Sequence, residues 1–278
     1  MRISLVAARR FPQDDLDRFI RSLPPDLEVI LVDGVGDLTT LPGVRLLSLP
    51  GQPTPVLRAA GIAAAHGEAI ALVDPACQLA PSWLAAARQA LAQASLASGP
   101  VAYGGGRQLI TWAAFLAEYG AFLPPSSARA GLAGTNLIVH RSALEQVGSA
   151  GEPFWKDVAV ARWQAAGLTG QYVPALLVVH ARPWRLLPFL RDRFQQGRCF
   201  AGRRRALLSP GERILRALAF PLVALVLGVR LARALWSKRH ARWAALPAVP
   251  LVLLFLLAWA AGEAIGYLLG PGASCQQC

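Results

Sequence analysis

At 278 residues the chain has room for one large domain and an appendage, and it is too apolar for an ordinary soluble protein, with 54% hydrophobic residues and a mean hydropathy of +0.40. Charge is confined: residues 1–180 carry 13 Lys+Arg against 13 Asp+Glu, whereas residues 181–278 carry 15 against 3, so the whole net charge of +12 lies in the last third. Basic residues that flank long apolar runs suit a membrane surface, and a neutral first 180 residues argues against a nucleic-acid binder.

In chain order, Ile3–Ala7 reads as a first strand. The stretch Ile3–Ala8 is too short for a signal-peptide core and runs into Arg9-Arg10, so the first domain is expected to stay in the cytoplasm. Asp14–Leu23 has helical spacing, with Leu16, Phe19, Ile20 and Leu23 on one face, and Pro24-Pro25 stops it. Glu28–Asp33 is a second strand ending in a carboxylate, followed by the loop Gly34–Asp37; Val44–Leu49 is a third strand. Val56–His66 is a helix with Gly67 suited to its C′ position. Ala69–Val73 is apolar without alternation, as in a strand covered on both faces, and ends at Asp74; a helix from about Pro81 to Ala94 follows. Residues 100–130 are less regular, with a flexible Gly104-Gly105-Gly106 and a mobile loop at Pro124-Pro125-Ser126-Ser127. Beyond them come Gly134–Val139 as a loop feeding a strand, a helix Ala143–Val147 capped by Ser142, a helix Asp157–Ala166, and a last strand Tyr172–His180 interrupted by Pro174. Strands alternating with helices predict an α/β domain over residues 1–180, with a mainly parallel sheet flanked by helices.

In such sheets ligands bind at the carboxyl ends of the strands. Asp74 sits there, and a carboxylate at that place suits a divalent metal carrying a diphosphate; the competing reading is an Asp that caps its own turn. Asp33 before a Gly loop suits nucleotide recognition or, equally simply, a turn beside Gly34. Asp157 at a helix start is either a general base or a carboxylate satisfying the helix dipole. His180 at a strand end is either a metal or phosphate ligand or a satisfied polar group.

The order of these pieces resembles the family 2 glycosyltransferases, which have the GT-A fold, from Ile3 to about Arg205. Leu31-Val32-Asp33-Gly34 is similar to the family's first motif, whose Asp contacts the nucleotide base. Arg58-Ala59-Ala60-Gly61-Ile62 with Gly67-Glu68 resembles A-R-N-x-G-I…G-E, with Ala59 in place of Asn. Val73-Asp74-Pro75-Ala76 lies where the metal-binding D-x-D occurs, with Ala76 in place of the second acid. Gly134-Thr135-Asn136 and Arg141–Gly148 look like the acceptor-side motif, and Lys156-Asp157 sits where the family has Glu-Asp. The resemblance implies Asp157 as catalytic base, Asp33, Arg58 and Asn136 in substrate and nucleotide binding, and a divalent metal (Mg or Mn) on Asp74 and His180. With Ala76 in place of an acid, three readings stay open: a reduced metal site, help from Arg58 or Lys156 at the phosphate, or a chain that is no longer an enzyme.

From Arg182 to Arg216 ten Arg are interleaved with Trp184, Phe189, Phe194 and Phe200, which predicts a basic–aromatic interfacial segment over residues 181–216. Membrane-associated helices are expected over 217–270. The 13-residue run Ala217–Val229 would reach about 20 Å as a helix, short of a bilayer core of about 30 Å. It reads as interfacial or re-entrant, although two full spans remain open if the helix extends through Arg230. The 20-residue run Trp243–Gly262 is long enough to cross, with Ser237–Arg242 on the cytoplasmic side and the chain after Glu263 on the far side. Four Cys give no disulfide framework at this length; Cys275-Gln276-Gln277-Cys278 is read as a flexible tail over 271–278. The expected protein is an inner (cytoplasmic) membrane glycosyltransferase with a cytoplasmic catalytic domain. It takes a nucleotide-sugar donor and a lipid-linked or membrane-proximal acceptor; the alternative is an inactive GT-A-like membrane binding or assembly subunit.

Overall fold

The computed structural model describes residues 1–125, 131–148 and 151–277. Ser126 and Ser127 of the expected mobile loop, and Cys278, lie outside them. The chain divides into two compact units, residues 1–104 with 122–182 and residues 105–121 with 183–278.

The first unit runs β1 (Ile3–Arg9), α1 (Leu16–Arg21), β2 (Glu28–Asp33), β3 (Arg45–Ser48), α2 (Thr54–Ala64), β4 (Ala69–Val73), β5 (Cys77–Leu79), α3 (Trp83–Leu91), β6 (Leu96–Ser98) and β7 (Val101–Tyr103). After α4 (Leu109–Tyr119), which belongs to the second unit, it continues with β8 (Asn136–His140), α5 (Arg141–Val147), α6 (Lys156–Ala165), β9 (Gln171–Tyr172) and β10 (Val178–His180). Among the described residues the strands form a seven-stranded sheet, β3-β2-β1-β4-β8-β6-β9, and a three-stranded sheet, β5-β10-β7. Strands β3, β2, β1 and β4 are mutually parallel, and β8 runs antiparallel between β4 and β6. The unbroken apolar runs of β1, β2 and β4 are explained by cover on both faces: all five residues of β4 are buried. Val6, Ile30, Leu57, Leu72, Leu137 and Trp163 belong to one core under α2 and α6.

The expected strand Tyr172–His180 is two strands in two different sheets. Pro174 lacks the N–H that a continuous ladder needs, and β9 pairs with β6 whereas β10 pairs with β5 and β7. The less regular stretch 100–130 contains β7 and the helix α4. α5 begins two residues earlier than expected, with His140 rather than Ser142 at its N-cap. Gly67 is not a helix cap: its N–H donates to Ser4 Oγ at 2.7 Å, and a Cβ there would lie 2.6 Å from the Ser4 backbone nitrogen.

In the second unit α4 is joined by α7 (Leu186–Arg204), α8 (Pro210–Leu218), α9 (Phe220–Trp236), α10 (Arg239–Ala245) and α11 (Val249–Leu269). Ser209 and Glu212 form a reciprocal capping box that starts α8, with Pro210 in the first turn. α7 and α11 run in the same direction, backbone against backbone: a Cβ on Gly197 would strike Trp259, one on Gly262 would strike Phe194, and one on Gly266 would strike Arg198. Glycine is what permits this approach. The tail is not free as expected, because Cys275 is disulfide-bonded to Cys199 of α7, Cα to Cα 4.9 Å. The chain after Glu263 therefore returns to the arginine-rich helix. The 29-residue helical stretch Ala241–Leu269 is long and apolar enough to cross a membrane, whereas α8 and α9 reach that measure only as one broken span bent by 60°.

Replacing Gly262 with Leu is expected to cost about 1–3 kcal/mol through overpacking. Gly211→Ala, where nothing lies within 4 Å of an added Cβ, should leave stability unchanged. Thermal unfolding of the two variants in detergent checks this.

Candidate functional site at the carboxyl edge of the parallel strands

Because β1, β2 and β4 are parallel, their carboxyl ends share one edge: Arg9 pairs in register with Asp33, and Asp74 directly follows β4. β8 is antiparallel to β4, with Val73 opposite Asn136, so the loop Gly134-Thr135 that enters β8 lies at the same edge. The Asp74 N–H donates to the Thr135 carbonyl at 3.3 Å.

Two of the expected contact residues are turned inward. The Asp33 side chain is fully buried and accepts from Arg9 Nη1 (3.0 Å) and from the backbone N–H groups of Val35 (3.0 Å), Gly36 (3.0 Å) and Leu38 (3.3 Å). Four donors fill the capacity of a carboxylate, so Asp33 shapes the loop after β2 rather than offering an acceptor to a base. Arg9 is itself clamped between Asp33 and Asp37. Asn136 is also fully buried: its amide donates to the carbonyls of Leu176 (2.6 Å) and Pro100 (3.4 Å), and its oxygen accepts from Trp83 Nε1 (3.1 Å). It pins three segments together.

Other expected residues do converge. Arg58 on α2 donates to the Gly134 carbonyl at 2.9 Å, and Lys156 at the start of α6 donates to the Leu132 carbonyl at 3.1 Å. A Cβ on Gly134 would lie 2.9 Å from Lys156 Cδ and 3.8 Å from Arg58 Nη1, so the two cations approach this one glycine together. Burial pushes the Lys156 ammonium below its ordinary pKa, and the charge of Arg58 pushes it further in the same direction. Asp157 follows Lys156 in the first turn of α6, the half-buried start of a helix.

Asp74 has a partner that the sequence did not suggest. Its Oδ1 accepts from Arg182 Nη2 at 2.6 Å and from the Ala76 N–H at 2.9 Å. Arg182 is bound on its other side by Asp14, Nε to Oδ1 at 2.6 Å and Nη2 to Oδ2 at 3.0 Å, and its guanidinium lies over the Phe11 ring at 4.3 Å. The side chains of Arg182 and Asp14 are 3% and 0% exposed, so this is an interior ion triad. Burial pushes the Asp74 carboxyl up, but the Arg182 guanidinium, with smaller help from the Ala76 N–H and, last, Arg58, outweighs it and holds the group below the usual carboxylate range.

The divalent metal expected on Asp74 and His180 does not fit this set of donors. Asp74 is committed to a guanidinium that carries its charge at all accessible pH, and Ala76 supplies no ligand. Among the described residues there is no group of three or more His, Cys, Asp or Glu side chains placed to hold an ion. His180 ends β10 opposite Cys77 and is buried. Burial first, and the positive charge of Arg182 second, lower its pKa to about 3, so the imidazole is neutral. Asp14, Arg182 and Arg9 are the members of the site that sequence reasoning missed. The one local signal was position: Arg182 stands two residues past the strand-end His180.

Two outcomes follow from this geometry. Arg182→Met leaves the buried Asp14 carboxylate and the part-buried Asp74 carboxylate without their shared guanidinium and should cost about 3–5 kcal/mol in denaturant unfolding. His180 is protonated in the unfolded chain below pH about 6.5 but not in the folded one until pH about 3, so the unfolded state binds the extra proton in that window. Stability should therefore fall as pH drops through it, with His180 contributing a slope of up to about 1.4 kcal/mol per pH unit that His180→Gln removes.

No family model and no curated protein matches the sequence. Among solved structures, the mannosyltransferase PcManGT from Pyrobaculum calidifontis, in complex with GDP-Man and Mn2+, aligns with a TM-score of 0.52 at 18% identity, over 96% of this chain and 87% of its own. Residues 1–349 of S. aureus TarS align with a TM-score of 0.50 at 16% identity, over 100% of this chain and 92% of that one. Together with a parallel sheet that gathers its carboxylates at one edge, these likenesses show that the chain has the GT-A fold of glycosyltransferases.

Proposed function

We propose that the chain is a membrane-associated glycosyltransferase of the family 2 type, which moves a sugar with inversion from a nucleotide-sugar donor to a lipid-linked or other membrane-proximal acceptor. The observation that carries this reading is the convergence of Arg58 and Lys156 on Gly134, at the strand edge where Asp74 lies and one residue before Asp157. The acceptor oxygen forms its bond to the anomeric carbon as the bond from that carbon to the diphosphate breaks. The acceptor proton passes to the Asp157 carboxylate, and the nucleoside diphosphate leaves against Arg58 and Lys156. Arg and Lys suit that role as charged donors to phosphate oxygens. Asp33 contributes by holding the loop Val35–Leu38 beside the site.

A membrane location at the inner membrane, with the first unit in the cytoplasm, is supported by the apolar stretch Ala241–Leu269. Exposed Leu215, Leu218, Leu222, Leu225 and Trp243 in the second unit support it too.

The test is transfer from a panel of nucleotide sugars to a polyprenyl phosphate by the full chain in lipid nanodiscs, followed by chromatography of the lipid product. Asp157→Asn should lower the rate about 10²–10⁴-fold while nucleoside diphosphate binding stays within about twofold. Loss of the helix-dipole contact alone costs only about 0.3–1 kcal/mol, so the variant should fold. Wild-type rates from Asp157→Asn would remove Asp157 from the mechanism. Nucleotide binding without turnover by the wild type would favour an assembly subunit instead.

A further inference from the structure

We propose that this chain holds the diphosphate of a nucleotide sugar without a divalent cation: Arg182 is fixed on the carboxylate a metal would need, and Arg58 and Lys156 meet the phosphates. The proposal rests on the donor-binding reading above.

A metal on Asp74 would sit against Arg182, which holds Oδ1 at 2.6 Å, is bound on its other side by Asp14 at 2.6–3.0 Å and has its face covered by Phe11; taking Oδ1 as a ligand would require displacing it. Displacement would leave a buried guanidinium with half its partners and place it beside a divalent ion of the same sign. Ala76 adds no compensating charge. Metal binding at this edge is thus opposed twice, by lost hydrogen bonds and by like-charge repulsion.

The positive charge a metal would bring is already built in. Arg182 answers Asp74 directly, and Arg58 acts on the same carboxylate through space. Lys156 and Arg58 both approach Gly134 and donate to the main-chain carbonyls of Leu132 and Gly134. The neighbouring Asp157 offsets part of the positive charge on Lys156, and a diphosphate between the two cations would offset more of their mutual repulsion. A side chain at Gly134 would run into the Lys156 stem, so the glycine keeps this approach open. The chemical class the arrangement takes is a nucleoside diphosphate, whose two phosphates present several acceptor oxygens to a guanidinium and an ammonium.

The experiment is a thermal-shift and calorimetric titration of the full chain in nanodiscs with UDP, GDP, ADP and dTDP, each in EDTA and in MnCl2, and with MnCl2 alone. The expected result is that at least one nucleotide binds in EDTA with a Kd within about threefold of that in Mn2+. MnCl2 alone should give no shift, and Arg58→Ala and Lys156→Ala should each weaken binding tenfold or more. As a converse, Ala76→Asp combined with Arg182→Ala should create stabilisation by Mn2+ that the wild type lacks; because the ion itself supplies the missing charge, a shift with Mn2+ reports a folded site. Binding that needs Mn2+, or tightens tenfold with it, overturns the metal-free proposal and leaves the glycosyltransferase reading standing. Absence of binding by every nucleotide under both conditions overturns both.

Discussion

The ion triad of Asp14, Arg182 and Asp74 fixes the carboxyl edge of the sheet. Arg182 comes from the end of β10, Asp14 from the segment before α1, and Asp74 from the loop between β4 and β5, so one guanidinium ties the β5–β10 ladder to the segment before α1. An ion group of this kind is costly to desolvate and still more costly to break, because each partner left behind is a buried charge. The edge is therefore cross-linked by the chain's own side chains, one guanidinium serving two carboxylates. Arg9, clamped between Asp33 and Asp37, repeats the device one strand away. Fixed guanidinium groups, not a bare carboxylate cluster, set the electrostatics of this surface.

The extent to which the sequence foretold this depends on how local each signal was. β2 and β4 are legible because an unbroken apolar run bounded by a carboxylate and a turn is itself the mark of a doubly covered strand. β5 and β7, each three residues long, carry too little periodicity to be seen, and β10 reads as the end of one longer strand; their small sheet exists only through pairing between distant segments. α4 was hidden because its residues are apolar almost all round, so no face announces a helix. In the site, Asp74, Asp157 and His180 were legible as strand and helix ends. The partnership of Arg182 with Asp14 spans 168 residues, and nothing within either segment encodes it. The interior hydrogen-bond partners of Asp33 and Asn136 were not legible, since a side chain's partners are set by tertiary contacts and not by its neighbours in sequence.

The second unit shows a related limit. Arginine interleaved with aromatics predicts a segment lying on anionic lipid, yet several of these residues satisfy one another within the unit. Arg193 is buried with its guanidinium 4.4 Å from the Trp259 ring, and Arg204 lies 3.6 Å from that of Phe200. Stacking on an aromatic face lets a guanidinium sit against apolar helices at modest cost. The glycines of α7 and α11 make that proximity possible by bringing the two backbones together. Part of the charge that composition assigns to a membrane surface is thus spent on holding helices together.

Asn136 has a practical bearing on how this chain is studied. Its amide joins Trp83 of α3, the carbonyl before β7 and the carbonyl of Leu176, three places that surround the site without forming it. An activity screen would therefore score its replacement as a loss of catalysis even where the loss is one of folding. Genetic maps of essential positions in proteins of this shape will mix such interior pins with true contact residues. Only a parallel reading of abundance or melting temperature separates the two.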